Sequence, residues 1–376
     1  MRIGIIAPPW LPVPPLAYGG TEEVIDDLAR GLQDLGHDVR LFTVGESICP
    51  VPREYLYPQG IKPMGDGVAE AAHVLAAYEA FAVVDLIHDH TMLGPLLAGR
   101  RGIARPPVVV TNHGPFTAQT RRLFAGIARH ASIVAISHSH ARTAGVPIAA
   151  VIHHGIDLRV HRPGPGDGGY LLFVGRMCAD KGVHHAVRVA RSAGRRLVIV
   201  AKMREPAERA YFEREVRPLL GPGDDLSAEV SPAAKRELMR HAAALLNPIT
   251  WAEPFGLVMV EALAAGTPVL AFPNGAAPEI VDDGQTGFLC RDEGDMIAAV
   301  GRVPQIHRDH CRAAAEQRFS AQRMVADYER LYRRILLRSG DLAGRRRAGA
   351  GPGGSAREGS SREGQGGLMM IPLVPR

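Results

Sequence analysis

Short apolar, β-branched runs alternate along the chain with longer stretches whose apolar positions recur at helical spacing, the pattern of parallel strands joined by crossover helices. In the first half the runs are Ile3-Gly4-Ile5-Ile6-Ala7, Val39-Arg40-Leu41-Phe42-Thr43-Val44, Val83-Val84-Asp85-Leu86-Ile87, Val108-Val109-Val110-Thr111 and Ile133-Val134-Ala135-Ile136. Between the first two, Thr21 is the predicted N-cap, and Val24, Ile25, Leu28, Leu32 and Leu35 form the stripe of a helix that Gly36 ends. The chain therefore opens as a βαβ unit.

Residues 162–169 have the composition of a linker, and the alternation restarts after them with Leu171-Leu172-Phe173-Val174 and Leu197-Val198-Ile199-Val200. Runs at 243–246 and 268–271 continue this second sheet, with helices predicted around 232–241 and 257–265. The fold class is α/β: two Rossmann-like, doubly wound domains over residues 1–160 and 170–320. Met324, Val325, Tyr328, Leu331, Tyr332 and Ile335 then stripe a helix over 321–338. From 339 glycine, serine, arginine and proline dominate, so the tail 339–376 is predicted to be disordered. Its final Leu373-Val374-Pro375-Arg376 reads either as a protease-site remnant or as a native end.

Composition narrows the function classes. With 46% hydrophobic and 22% charged residues, a chain of 376 residues can bury two cores. The net charge of +5 lies mostly in the tail, where six arginines face Asp341, Glu358 and Glu363, so no nucleic-acid footprint is expected. Cys49, Cys178, Cys290 and Cys311 form no C-x-x-C pair, which fits a reducing compartment. The opening apolar run stops at Pro8-Pro9, too short for a signal-peptide core, so a soluble cytoplasmic protein is expected.

Two open α/β domains place the carboxyl ends of their strands around a shared cleft. Val174-Gly175-Arg176-Met177-Cys178-Ala179-Asp180-Lys181-Gly182 follows one strand and precedes a helix, where two cations and two glycines can close around a diphosphate. Alone, this stretch reads equally as a solvated loop. Glu253 and Glu261 lie eight residues apart across a second junction, which is about 2.2 helical turns. If the helix starts near Gly256, Glu253 precedes its N-terminus and Glu261 lies inside it. Carboxylates suit vicinal hydroxyls, and Phe255, Gly256 and Leu257 offer free amides. The plainer reading, a helix cap plus a surface glutamate, conflicts with Met259, Val260, Ala262 and Leu263 around Glu261, because an acid there needs a partner.

Together these stretches resemble the retaining nucleotide-sugar glycosyltransferases of family 4, whose two-domain fold is called GT-B. Ala264-Ala265-Gly266-Thr267-Pro268-Val269 and Pro278-Glu279-Ile280-Val281 extend the likeness. Tyr18-Gly19-Gly20-Thr21-Glu22 is similar to the family's glycine-rich loop and Asn112-His113-Gly114 to its His-Gly element, so the likeness covers residues 1–338. It implies transfer of a hexosyl group from a nucleotide-diphospho-sugar, UDP-glucose first, to a small-molecule, lipid-linked or glycan hydroxyl. It also implies that Gly19 and Gly20 admit the donor phosphates, His113 contacts the transferred sugar, and Arg176 and Lys181 hold the diphosphate. Glu253, with the amides of Phe255, Gly256 and Leu257, would bind sugar hydroxyls, and Glu261 the ribose. The last helix is implied to cross back onto the first domain, and the domains to close on the donor. Retention through same-face attack needs no enzymic nucleophile. No Asp-x-Asp pair occurs in the chain, which agrees with cations replacing a metal; no cofactor is expected. An epimerase or phosphorylase on the same fold, or a catalytically degenerate nucleotide-sugar binder, are the alternatives.

One departure is Ala201-Lys202-Met203, where the family commonly shows glycine; Lys202 reads either as a phosphate contact or as a surface charge. Alternation points His88 and His90 to one side of a strand and Asp89 to the other, toward cleft contacts, support of His113, or local hydrogen bonds. No third ligand is legible, so no metal is assigned to them. The proline-stiffened residues 8–15 with Trp10 are either an acceptor-shaping segment or a plain rigid loop. Arg121, Arg122 and Arg129 around Leu123, Phe124 and Ile127 suggest at most weak membrane contact.

Overall fold

The computed structural model describes residues 1–17, 19–98 and 106–348. Two parallel sheets carry it. The first contains β1 (Arg2–Ile6), β2 (Asp38–Thr43), β3 (Arg53–Tyr55), β4 (Leu86–Asp89), β5 (Val108–Thr111), β6 (Ala131–Ala135) and β7 (Ala150–Val151) in the order β3-β2-β1-β4-β5-β6-β7. The second contains β8 (Tyr170–Arg176), β9 (Arg196–Lys202), β10 (Asp225–Ser227), β11 (Ala244–Asn247), β12 (Val269–Ala271) and β13 (Gly287–Leu289) in the order β10-β9-β8-β11-β12-β13. Helices α1 (Gly20–Asp34), α2 (Gly67–Ala80), α3 (Ala118–Ile127) and α4 (His138–Ala144) serve the first sheet. Helices α5 (Val183–Ser192), α6 (Pro206–Tyr211), α7 (Pro232–His241), α8 (Leu257–Ala264), α9 (Ala277–Ile280), α10 (Glu293–Arg302) and α11 (Arg308–Arg318) serve the second, and α12 runs Ala321–Ala348.

Both sheets thus have the doubly wound order, and each reverses direction beside its first strand. Apolar runs became the central strands because both faces are covered, as in β5, where all four residues are buried. The short edge strands β3, β7, β10 and β13 carry no such run, so nothing in the apolar pattern marks them. Two expectations shift. Val83 is 64% exposed and β4 begins at Leu86, because Asp85 is tied to Arg2 where the central strands β1 and β4 begin. Helix α1 begins before Thr21, with Gly19 at the N-cap and no side-chain cap.

Residues Met1–Leu336 form a first compact unit, which holds both sheets. Within the first unit, Met324, Val325, Tyr328, Leu331 and Tyr332 of α12 share a core with Ile3, Ile5, Leu28 and Leu32 of the opening βαβ unit. Each such apolar side chain contributes about 2 kcal/mol on burial. Contact is close because Gly31 lacks a side chain: a Cβ there would lie 2.4 Å from Val325 Cγ2. Tyr328 and Tyr332 bond Thr111 Oγ1 at 2.8 Å and His88 Nδ1 at 2.6 Å. The helix expected to stop at 338 runs on to Ala348, because Leu342, Ala343 and Arg345 to Arg347 favour helix. The rest of the expected disordered tail, 349–376, lies outside the described residues. Among the described residues no helix is long and apolar enough to cross a membrane.

Candidate active site

In doubly wound sheets, ligands meet the carboxyl ends of strands where the order reverses. Here those points lie between β1 and β4 and between β8 and β11. The residues singled out in the sequence occupy loops at these ends, in two walls.

The first wall is carried by β1, β4 and β5. Gly19 and Gly20 lead into α1; Tyr18 of the same motif lies outside the described residues. Gly19 has no room for a side chain, since a Cβ would lie 2.6 Å from Pro15 Cβ and 3.0 Å from Glu22 Oε2. A Cβ on Gly20 would meet Leu257 Cδ1 at 3.0 Å, so the glycine loop abuts the start of α8 in the other domain. His113 follows β5, and its Nε2 shares a proton with His90 Nδ1 at 2.8 Å. His90 in turn lies beside His88, ring centroids 4.0 Å apart, while Asp89 points away to Tyr78 Oη at 2.8 Å. Burial, reinforced by His140, pushes His113 down to about 3, and burial drives His88, His90 and His154 well below the usual histidine range. These rings are neutral imidazoles at pH 7, each able to donate through one nitrogen and accept through the other.

The second wall is carried by β8 and β11. Arg176 ends β8 half-buried, and its guanidinium makes no ion pair with another described residue. Gly182 turns the chain into α5 with φ of +71°, and a Cβ there would lie 2.0 Å from Pro248 O, so only glycine fits behind Lys181. Lys181 Nζ donates to both oxygens of Glu253, at 2.7 and 2.6 Å, with 12% and 14% of the two side chains exposed. The Glu253 backbone is seated by Gly275, where a Cβ would lie 2.3 Å from Glu253 N, and by the Ala276 amide, which donates to Glu253 O at 3.1 Å. Gly256 caps α8 with φ of +108°, and the amides of Phe255, Gly256 and Leu257 have no acceptor among the described residues. The Phe255 ring instead wedges between domains, 5.2 Å from His154, which lies 5.1 Å from His113.

Glu261 does not join Glu253. It lies inside α8, 3% exposed, and accepts from Lys235 Nζ at 2.7 Å. Glu23, His161 and Glu261 bring ligand atoms within 4.8 Å of one another, a spacing that could hold a metal ion, but the Lys235 ammonium already supplies a cation there. Sequence reasoning gave no role to Lys235 or Gly275, and named Glu279 only within the stretch that extends the family likeness. Glu279 accepts from the His138 and Ser139 amides at 2.8 and 2.6 Å and from His153 Nε2 at 2.8 Å, clasping α9 to the first domain. Lys235 sits in a polar helix where any charge reads as surface, and Glu279 lies among Ala276, Ala277, Ile280 and Val281 with nothing local to name its partners; only tertiary contact shows what each one bonds.

Other expectations find their places. Lys202 ends β9 opposite Arg176 in register. Leu16 and Ala17, after the proline segment, line a cavity of about 490 Å³ with Met203, Arg204, Glu229 and Ser231, at the ends of β9 and β10. On α3, Phe124 and Ile127 are buried in the first domain's core, which leaves Arg121 and Arg122 exposed without an apolar face beside them. At the start of α5, His184 bonds Tyr211 Oη at 2.6 Å and His185 bonds Glu293.

Two facing Rossmann-like sheets with this wall of cations, carboxylates and free amides define the GT-B class of glycosyltransferase. Residues 158–322 match Glycosyl transferases group 1 and residues 18–160 match Glycosyltransferase Family 4. The chain belongs to the family 4, group 1 glycosyltransferases. It is 33% identical over 202 residues to the glycogen synthase of Mycobacterium tuberculosis, 49% of this chain and 46% of that protein, so it spans about half the length of that relative. It is 29% identical over 337 residues to the phosphatidyl-myo-inositol mannosyltransferase of Mycolicibacterium smegmatis, covering 80% of this chain and 83% of that one. The fold is shared with the Anabaena protein HepE, solved in complex with UDP-glucose, at a TM-score of 0.71 and 20% identity over 89% of this chain and 99% of the other.

Proposed function

We propose that the chain transfers a hexosyl group from a nucleotide-diphospho-sugar to a hydroxyl acceptor, with retention at the anomeric carbon and without a metal. The observation that carries this reading is the second wall: Arg176 unpaired, Lys181 on Glu253, and open amides at the start of α8. Breaking the bond from the anomeric carbon to the diphosphate leaves growing negative charge on the phosphate, and cations fixed in advance lower that barrier. Two of the three Lys181 N–H groups are engaged by Glu253, and the third remains for a phosphate oxygen. Glu253, seated by Gly275, accepts from sugar hydroxyls, and Glu261 from the ribose. His113, neutral in its dry setting, offers the sugar a hydrogen bond and not a charge. The acceptor oxygen then bonds the anomeric carbon, and its proton leaves on the departing phosphate.

The cavity of about 490 Å³ beside Met203 and Ser231 suits the nucleoside base. UDP-glucose is the first donor to test. The relative matched along most of its length is a mannosyltransferase acting on a lipid, which makes mannose the second sugar and a lipid-linked hydroxyl a candidate acceptor.

Calorimetric titration with UDP, GDP, ADP and dTDP in EDTA tests the donor site. One nucleotide binds at micromolar Kd, and Glu261→Ala and Arg176→Ala abolish the signal. Binding of none, or binding only with added metal, would overturn the reading.

A further inference from the structure

Glu261 is a carboxylate in a place that penalises charge. Its neighbours Val260 and Ala262 are fully buried, and only 4% of its own side chain is exposed. Its cation comes from a different helix. Lys235 stands in the second turn of α7, which Ser231 caps and Pro232 opens, and its Nζ donates to Oε1 of Glu261 at 2.7 Å. A carboxylate oxygen pair offers about four acceptor positions, so Oε2 is left over.

Lys235 also faces the other domain. Burial works against its ammonium, but Glu261 and then Glu23 of α1 outweigh that cost and hold it above the usual lysine range. Glu23 is held above the usual carboxyl range by burial and by the nearby Glu261, with Lys235, Arg236 and Asp26 also acting on it. His161, just before the linker, is pushed down chiefly by burial and also feels Glu261, Lys235, Arg236 and Asp157, and its buried Nε2 has no partner among the described residues. The charged groups that act on Lys235, Glu23 and His161, the groups facing Glu261, are therefore Lys235, Arg236, Glu23 and Glu261 itself, with Asp26 acting on Glu23 and Asp157 on His161. Among these, only the Lys235 side chain bonds the Glu261 carboxylate.

We propose that Lys235 is a positioning residue for the donor: its ammonium fixes Glu261 as an oriented carboxylate and leaves Oε2 to accept from the ribose hydroxyls of a nucleoside diphosphate. This rests on the reading of Glu261 as the ribose ligand. Lys235 itself touches no reacting atom, so its effect falls on donor affinity and KM, with kcat at saturating donor little changed.

The test is calorimetric titration of the full chain with UDP, GDP, ADP and dTDP, in EDTA, across about pH 6 to 8.5, on wild type, Lys235→Gln, Lys235→Met and Lys235→Arg. The Gln and Met variants weaken binding at least about tenfold near neutrality, the scale of a lost charge-assisted hydrogen bond. Their affinity climbs as pH rises, because a buried carboxylate without its cation takes up a proton and loses it only at higher pH. Lys235→Arg recovers most of the affinity and the wild-type pH profile. A purely structural role for Lys235 would not add this pH dependence. If Lys235→Met fails to fold, Lys235→Gln, which keeps a polar but uncharged side chain there, carries the comparison. Wild-type affinity and wild-type pH profile in Lys235→Gln would overturn the proposal while leaving the donor site standing. Binding of no nucleotide by the wild type would overturn both.

Discussion

Lys181 Nζ lies 2.6 Å from Glu253 Oε2 and 2.7 Å from Oε1, so the cation proposed for the diphosphate and the carboxylate proposed for the sugar are one ion pair across 72 residues of sequence. Each orients the other. Under the proposed function, the donor would meet a preformed dipole whose positive end is offered to its phosphate.

That pairing predicts strong non-additivity. Lys181→Met and Glu253→Gln should each lower kcat/KM by about 10²–10³-fold, the range found when one charge-stabilising donor is removed. The double variant should fall little further, because each single change already breaks the pair. A double-mutant cycle on kcat/KM checks this; additive losses would mean the two residues act separately.

His90 offers a second prediction. Its Nδ1 is 2.8 Å from His113 Nε2, and its own Nε2 is buried without a partner, so its tautomer decides which nitrogen of His113 carries the proton. His90→Ala should lower kcat about tenfold, less than the ~10²–10⁴-fold that a positioned proton donor itself supplies, because His90 acts only through His113. Affinity for the free nucleotide should not change, since the partner proposed for His113 is the sugar and not the nucleotide. His90→Asn, which keeps a polar atom near Nδ1, should recover part of kcat.

The fold was legible because central strands in covered sheets are continuous apolar runs, and the loops after Val174 and Leu246 then had to carry the motifs. The first wall was legible only in part. Alternation along β4 put His88 and His90 on one side, but strand spacing cannot say that His90 reaches His113 while His88 turns to Thr111 and Tyr332. The second wall's charges were legible as residues and not as pairs. Glu261 announced its need for a partner by its apolar neighbours, yet Lys235, 26 residues earlier in a polar helix, gives no local sign of being that partner. Edge strands such as Asp225–Ser227 stayed hidden because one open side removes the apolar run.

Buried titratable groups set a stability optimum. His73, His113, His140 and His161 are pushed down to between about 3 and 4, chiefly by burial. Below about pH 6.5 the unfolded chain takes up these protons and the folded chain does not, so stability falls on acidification, by about 1 kcal/mol per group at pH 5.5. Burial acts in the opposite direction on acids, raising Glu22 and Asp89 to about 7 and, with help from Glu23, Asp27 to about 8. Those groups contribute at low pH, and the contribution is lost as pH rises through 7 to 8. Histidines outnumber these acids below 6.5, and above it only the acids act. Urea unfolding should therefore show maximal stability near about pH 6.5, with losses on both sides. A monotonic rise to pH 8.5 would mean the buried acids ionise without cost.

Domain arrangement gives the last prediction. Glu279, on α9 of the second domain, takes three hydrogen bonds from the first: two from backbone amides opening α4 and one from His153. Burial opposes its charge, but His153 and the Ser139 and His138 amides outweigh burial and hold its carboxyl below the usual range. The neighbouring Ser137 Oγ donates to Pro254 O at 2.7 Å, one residue from Glu253. One face of the clasp thus bears on α4 and the other on the loop that seats the sugar-side carboxylate. Glu279→Ala strips partners from two amides and an imidazole; Glu279→Gln keeps the shape and loses the charge. Free of donor, the Ala variant should show a larger radius of gyration by small-angle scattering, and Gln a smaller increase. Donor KM should rise in the same order, because an opened cleft must close at the donor's expense, while kcat, read once the donor has closed it, should hold. An unchanged radius with an unchanged KM would mean that Phe255, wedged between His154 and Phe319, holds the domains by itself.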